Sequence, residues 1–111
     1  TARLLSEALG REVLVSFQSK LGRAKWLEPA TDAMLESLPG RNIKNIAVIA
    51  PGFSADNLET LEEVAIRGKE SFVEAGGESF AYLPCLNTSA PGTKMLTSLL
   101  LRELAGWLPQ Q

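Results

Sequence analysis

Ile43-Lys44-Asn45-Ile46-Ala47-Val48-Ile49-Ala50 is the stretch on which the fold turns. Its second half is continuously apolar, as in a parallel strand covered on both faces. Pro51-Gly52 breaks the run, and a long helical pattern follows from about Asn57 to Ala75, stopping at Gly76-Gly77. A buried strand feeding a helix of that length is half of a βαβ unit, so a parallel neighbour is expected on the far side of the helix.

Ser79 to Leu83 supplies that neighbour, ending at Pro84, and a last helix covers about Pro91 to Leu108. Upstream, Ala2 to Leu9 is helical, with Leu4, Leu5 and Leu9 on one side and Gly10 as its stop. Val13-Leu14-Val15-Ser16-Phe17 is rich in β-formers and reads as a third strand. A polar, basic loop from Gln18 to Pro29 leads to Thr31, which can cap a short helix carrying Met34, Leu35 and Leu38, ended by Pro39-Gly40. The order is αβαβαβα, and strands separated by helices form parallel pairs with right-handed crossovers. The expectation is α/β: a single domain over residues 1–111, built as a three-layer αβα sandwich on a small parallel sheet.

The 111 residues suffice for one core, and the 45% hydrophobic and 22% charged fractions are those of a globular chain. A net charge of -2 with no basic run speaks against nucleic-acid binding, which needs a positive surface. One cysteine, Cys85, precludes an internal disulfide, and a reducing, cytoplasmic setting fits, with attachment at a membrane surface left open. The longest apolar stretch, around Met95 to Leu108, is interrupted by Arg102 and Glu103, so no transmembrane segment is expected. Histidine is absent. Proton chemistry near neutral pH must therefore use other groups here, or borrow an imidazole. The chain opens on Thr1 inside a helical pattern, which suggests a piece of a longer protein.

In an open parallel sheet, ligands bind beyond the carboxyl ends of the strands. Three loops meet that edge: Gln18 to Pro29, Pro51 to Asn57, and Pro84 to Ala90. The first holds Gln18, Ser19, Lys20, Arg23, Lys25 and Trp26. Cations beside an indole could grip an anionic, planar ligand; the plainer alternative is a solvated loop with Trp26 folded into the core. The second enters the long helix through Asp56-Asn57-Leu58-Glu59. An α-helical wheel puts Leu58, Leu61, Ala65, Gly68 and Phe72 on the core side, and Glu59, Glu63, Arg67, Glu70 and Glu74 opposite. Glu59 and Glu63, one turn apart, could accept protons or pass a hydrated divalent cation. Equally, Asp56 and Glu59 match a capping box, and Glu63 with Arg67 an i,i+4 ion pair on a solvated face. In the third loop Cys85 reads as a small hydrophobe, and Asn87 or Ser89 as the cap of the last helix. Phe53, Phe72 and Trp107, the last with Leu100 and Leu104, read as core. No phosphate-binding glycine motif is present.

Four segments carry a family resemblance beyond these patterns. They are Phe17-Gln18-Ser19-Lys20-Leu21-Gly22-Arg23-Ala24-Lys25-Trp26-Leu27-Glu28-Pro29-Ala30-Thr31-Asp32, Pro51-Gly52-Phe53-Ser54-Ala55-Asp56-Asn57-Leu58-Glu59-Thr60-Leu61-Glu62-Glu63, Glu74-Ala75-Gly76-Gly77-Glu78 and Pro84-Cys85-Leu86-Asn87. In order and at matching spacing, they resemble the bacterial ferrochelatases. The resemblance implies a two-lobe Rossmann-like chelatase that inserts ferrous iron into protoporphyrin IX. This chain corresponds to the C-terminal lobe, and an N-terminal lobe and an upstream histidine lie outside it.

By the same resemblance Glu59 is the catalytic glutamate and Glu63 the next acidic position on a π-type helix, both candidate metal contacts. Gln18, Ser19 and Trp26 line the porphyrin pocket, with Asp56 and Asn57 supporting. Iron is substrate, no tightly bound cofactor is implied, and no iron-sulfur cluster is expected. Asn57 stands where many members carry Cys or His, and Arg67 where some continue the acidic row. The isolated chain is expected to be inactive, and its uncovered cleft face could self-associate. A chelatase for another tetrapyrrole or metal, or a non-catalytic binding or assembly module, are the alternatives.

Overall fold

The computed structural model describes residues 1–19 and 22–107. Lys20 of the first loop, Leu21, and the predicted helix end at Leu108 lie outside the described residues.

The two strands bounded by proline and glycine form as expected. β1 (Asn45–Val48) and β2 (Ser79–Tyr82) pair in parallel, with Asn45 opposite Ser79 and Val48 opposite Tyr82. Between them run a π-helix, Glu59–Gly68, and α3 (Lys69–Glu74), which continues it directly. Two further helices precede β1: α1 (Ala2–Leu9) and α2 (Thr31–Ser37), the latter followed by a 3₁₀ turn, Pro39–Arg41. The last helix, α4 (Ala90–Glu103), is capped by Ser89, whose hydroxyl accepts the Gly92 N–H at 3.2 Å. This is the α/β class with a small parallel sheet.

The core lies on one face of the sheet. Leu35 and Leu38 meet Phe72 there, with Met34, Ile43, Ile46, Val48 and Phe80 packed around them, and the Phe72 and Phe80 rings tilt against each other at 5.9 Å. The alternation is strict: Ile46, Val48, Phe80 and Tyr82 turn inward, while Asn45, Ala47, Ser79 and Ala81 are exposed on the other face. The outer cover implied by the apolar run of β1 is thus not supplied by the described residues. The radius of gyration of 17.2 Å exceeds the roughly 13 Å of a compact domain of this size.

Val13 to Phe17, predicted as a strand, stays extended but builds no ladder. Only Phe17 pairs, with Ala30, through Phe17 N–H to Pro29 O at 2.9 Å and Thr31 N–H to Phe17 O at 3.0 Å. The reason is distance from a partner edge. An open groove of about 530 Å³ separates Val13, Leu14 and Val15 from the free edge of β1, with Met34 and Leu38 also lining it. A strand needs a hydrogen-bonding neighbour, and the open groove keeps Val13 to Val15 from pairing with that edge.

Three smaller expectations are also corrected. Thr31 starts α2 without capping it, because its hydroxyl donates to Ser16 Oγ at 3.0 Å. Trp107 is 85% exposed, and Leu100 and Leu104 are exposed with it, since no described element packs over that side of α4. Phe53 is half-buried rather than core.

Candidate active site

The π-helix sets the register of the acidic residues. In an α-helix a residue four along is rotated by about 40°, so a period-four row drifts off its face. The wider π-turn suppresses that drift. Thr60, Val64 and Gly68 are consequently all buried on one line, continued by Phe72 in α3. This overturns the α-helical wheel: Leu58 is 77% exposed and Leu61 is exposed, whereas Thr60, a polar residue, is fully buried at 0%. Glu59, Glu63 and Arg67 each precede a buried residue by one and therefore share the adjacent line.

Asn57 caps this helix. Its side-chain carbonyl accepts the Glu59 N–H at 2.9 Å and the Thr60 N–H at 3.2 Å. The predicted capping box of Asp56 with Glu59 is not formed, and each of those carboxylates is used elsewhere. Asp56 Oδ1 accepts from Tyr82 Oη at 2.7 Å and from Thr60 Oγ1 at 3.0 Å, and Asp56 Oδ2 accepts from Asn87 Nδ2 at 2.8 Å. The Asn87 amide and then the Tyr82 hydroxyl hold the Asp56 carboxyl well below the usual carboxylate range. Burial, and then the bond to Asp56, push the Tyr82 hydroxyl above its ordinary value, so it stays a donor. Burial also raises the Cys85 thiol, which keeps it protonated and inert, in line with its reading as a small hydrophobe.

Glu59 reaches across to the first loop. The Phe17–Ala30 bridge closes the two ends of that loop on each other, so Gln18 and Ser19 leave from a fixed point. Ser19 takes a left-handed backbone, φ 62°, and its hydroxyl donates to Glu59 Oε2 at 3.0 Å, 40 residues away in sequence. Gln18 Nε2 lies 3.5 Å from Ser19 Oγ, and Trp26 Nε1 donates to the Gln18 carbonyl at 3.2 Å. The indole is tethered by its N–H and, at 37% exposure, is not folded into the core. The fold thus brings Gln18, Ser19, Trp26 and Glu59 to one place. Arg23 and Lys25 are exposed on the same loop.

Glu63 does not join that cluster through any hydrogen bond. It lies 3.8 Å from Arg67 Nη2, while Arg67 Nε pairs more closely with Glu62 Oε1 at 2.9 Å. The expected Glu63–Arg67 pair is present, and at such exposure it contributes little stability. Among the described residues no group of three or more His, Cys, Asp or Glu is arranged to hold a metal ion. Glu59 and Glu63 can together offer carboxylate oxygens to a passing hydrated cation. Tyr82, legible in the sequence only as a strand residue, joins the Asp56 hydrogen-bond network beside the candidate site. The available signal was a tyrosine at the carboxyl end of a strand, where binding loops begin.

The ferrochelatase family model matches residues 1–104. The chain is 52% identical over 97% of its length to the ferrochelatase of Rhizobium meliloti and 50% identical over 97% to that of Agrobacterium fabrum. It is 48% identical over 96% to that of Hydrogenovibrio crunogenus. The aligned region is 33%, 32% and 29% of those relatives, so the chain spans about a third of the length of the curated relatives it matches.

Proposed function

The chain belongs to the ferrochelatase family, and on that premise we propose that it forms one wall of a porphyrin cleft in an enzyme inserting ferrous iron into protoporphyrin IX. The observation that carries this reading is the 3.0 Å hydrogen bond from Ser19 to Glu59, which joins a tryptophan-bearing loop to the start of the acidic helix. Metallation must remove two pyrrole N–H protons and strip water from the incoming ion. Glu59 is the proton acceptor and a transient metal contact. Ser19 holds one of its oxygens in place. Glu63, one step along the same line, relays the hydrated ion towards Glu59. Trp26 offers a stacking face to the macrocycle, and Gln18 orients Ser19 and the indole. Asp56 and Asn57 support the helix start.

The family resemblance implies a histidine as the second proton acceptor, and this sequence holds none. We assign it to a further lobe that closes the cleft and covers the exposed face of the sheet. The isolated chain is accordingly inactive. Iron and porphyrin are the substrates, with no resident cofactor or iron-sulfur cluster. Among the described residues no helix is long and apolar enough to cross a membrane. A cytoplasmic setting is part of the proposal, supported by a single cysteine, as expected of a reducing compartment. The test is metallation of protoporphyrin IX by the full-length protein carrying this chain. Glu59→Ala is expected to lower the rate at least 100-fold, the scale of a lost general base. An unchanged rate removes Glu59 from the reaction. Faster metallation of sirohydrochlorin than of protoporphyrin would move the substrate assignment to another tetrapyrrole.

A further inference from the structure

Glu59 is placed by the start of the π-helix, and that start is tied down from the end of β2. Three hydrogen bonds made by Asn87 join the loop after β2 to the loop after β1. Asn87 N–H donates to Ser54 O at 2.9 Å, Asp56 N–H donates to Asn87 Oδ1 at 2.8 Å, and Asn87 Nδ2 donates to Asp56 Oδ2 at 2.8 Å. The two Asn87–Asp56 bonds are reciprocal and fix the carboxylate plane. Tyr82 Oη then reaches the other carboxylate oxygen at 2.7 Å, from the last residue of β2. The same Asp56 oxygen takes the hydroxyl of fully buried Thr60, which in turn accepts the Asn57 N–H at 3.0 Å. Asn57 carries the Glu59 N–H on its side chain at 2.9 Å. An unbroken chain of short bonds therefore runs from Tyr82 and Asn87, through Asp56, Thr60 and Asn57, to the backbone of Glu59.

We propose that Tyr82 is a positioning residue, acting with Asn87 through Asp56 to hold the first turn of the π-helix so that Glu59 stays aimed at Ser19. Tyr82 touches neither Ser19 nor Glu59. It sets the angle at which the helix leaves the sheet edge, where a displacement of about 1 Å at the reacting group can lower a rate 100-fold. The kinetic part of the inference rests on Glu59 acting in the reaction proposed above, whereas the structural part does not.

Tyr82→Phe keeps the ring and removes the bond. In the chain itself, hydrogen exchange of the Glu59 and Thr60 amides is expected to accelerate at least ten-fold, with the Phe72 amide unchanged. In the full-length protein, kcat is expected to fall about ten-fold, with KM for protoporphyrin within two-fold of wild type. Asn87→Gly, which tolerates the left-handed backbone at φ 48° and removes the side chain, should give the same pattern and substitutes if Tyr82→Phe does not fold. Unchanged Glu59 exchange overturns the clamp. Faster exchange with unchanged kcat, or an effect confined to KM, overturns its role in positioning. A wild-type protein with no metallation activity refutes the chelatase reading and takes the kinetic claim with it. The clamp itself is then decided by exchange alone.

Discussion

Replacing Thr60 with valine separates hydrogen bonding from packing at the centre of the network. Thr60 is 0% exposed, its hydroxyl accepts the Asn57 N–H at 3.0 Å, and it donates to Asp56 Oδ1 at the same distance. Valine fills nearly the same volume but forfeits both bonds. Losing the hydroxyl's own contribution costs about 1 kcal/mol, and leaving the half-buried Asn57 N–H without a partner adds about 2 kcal/mol. The expected loss is about 3 kcal/mol, against a total of about 5–15 kcal/mol for a domain. Thr60→Ser keeps both bonds and gives up one buried methyl, about 1 kcal/mol. With a urea m-value of about 1.5 kcal/mol/M, the midpoint should fall by about 2 M for valine and by less than 1 M for serine. Urea titration followed by far-UV circular dichroism measures both. If valine is no worse than serine, Thr60 is held by its shape, and the polar chain from Tyr82 to Glu59 does not stabilise the fold.

Three further outcomes are expected of the same fold. A methyl on Gly77 would overlap the buried Phe72 ring, whereas one on Gly40 meets nothing within 4 Å. Gly77→Ala should therefore destabilise by about 1–3 kcal/mol or more and Gly40→Ala by little, read from thermal midpoints. Because the Asp56 carboxyl is depressed by Asn87 and Tyr82, its contribution is complete above the unfolded value of about 3.9. It is lost as pH falls through the folded value. Urea midpoints should drop more steeply below pH 4 in wild type than in Asp56→Asn, and equal slopes would contradict the network. Leu96, Leu99, Leu100, Leu104 and Trp107 leave an exposed apolar stripe on and just after α4. The isolated chain should then sediment as dimers or larger species at micromolar concentration, and Leu100→Glu should reduce that association.

The parts of the fold that read directly from sequence are those set by local punctuation. β1 and β2 are apolar runs ended by Pro51 and Pro84, and Ser89 caps α4 as its residue type suggests. The site was legible in its location, because the strand-end rule points to the loops carrying Ser19 and Glu59. The resemblance singled out each of them separately, but their pairing is visible only in the structure, since a contact spanning 40 residues leaves no local pattern. The burial of Thr60 was hidden because an α-helical wheel assumes a fixed 100° step, and the π-register replaces it with a four-residue line. Asp56 was read as a cap since its true partners, Tyr82 and Asn87, lie 26 and 31 positions away. Val13 to Phe17 shows the converse: its strand-forming residues are plain, but a ladder depends on a neighbouring edge that these residues do not supply. Trp107 looked like core for the same reason, as periodicity marks an apolar face without saying what covers it.

Metallation of protoporphyrin IX, followed by absorbance with Fe²⁺ or Zn²⁺ on this chain and on the full-length protein that carries it, tests the central claim most directly. An active full-length protein beside an inactive chain is the predicted result, because the proposed reading gives Glu59 and its neighbours only one wall of the cleft. A chain that metallates porphyrin unaided would contradict the two-lobe account, and a full-length protein that does not would contradict the chelatase reading itself.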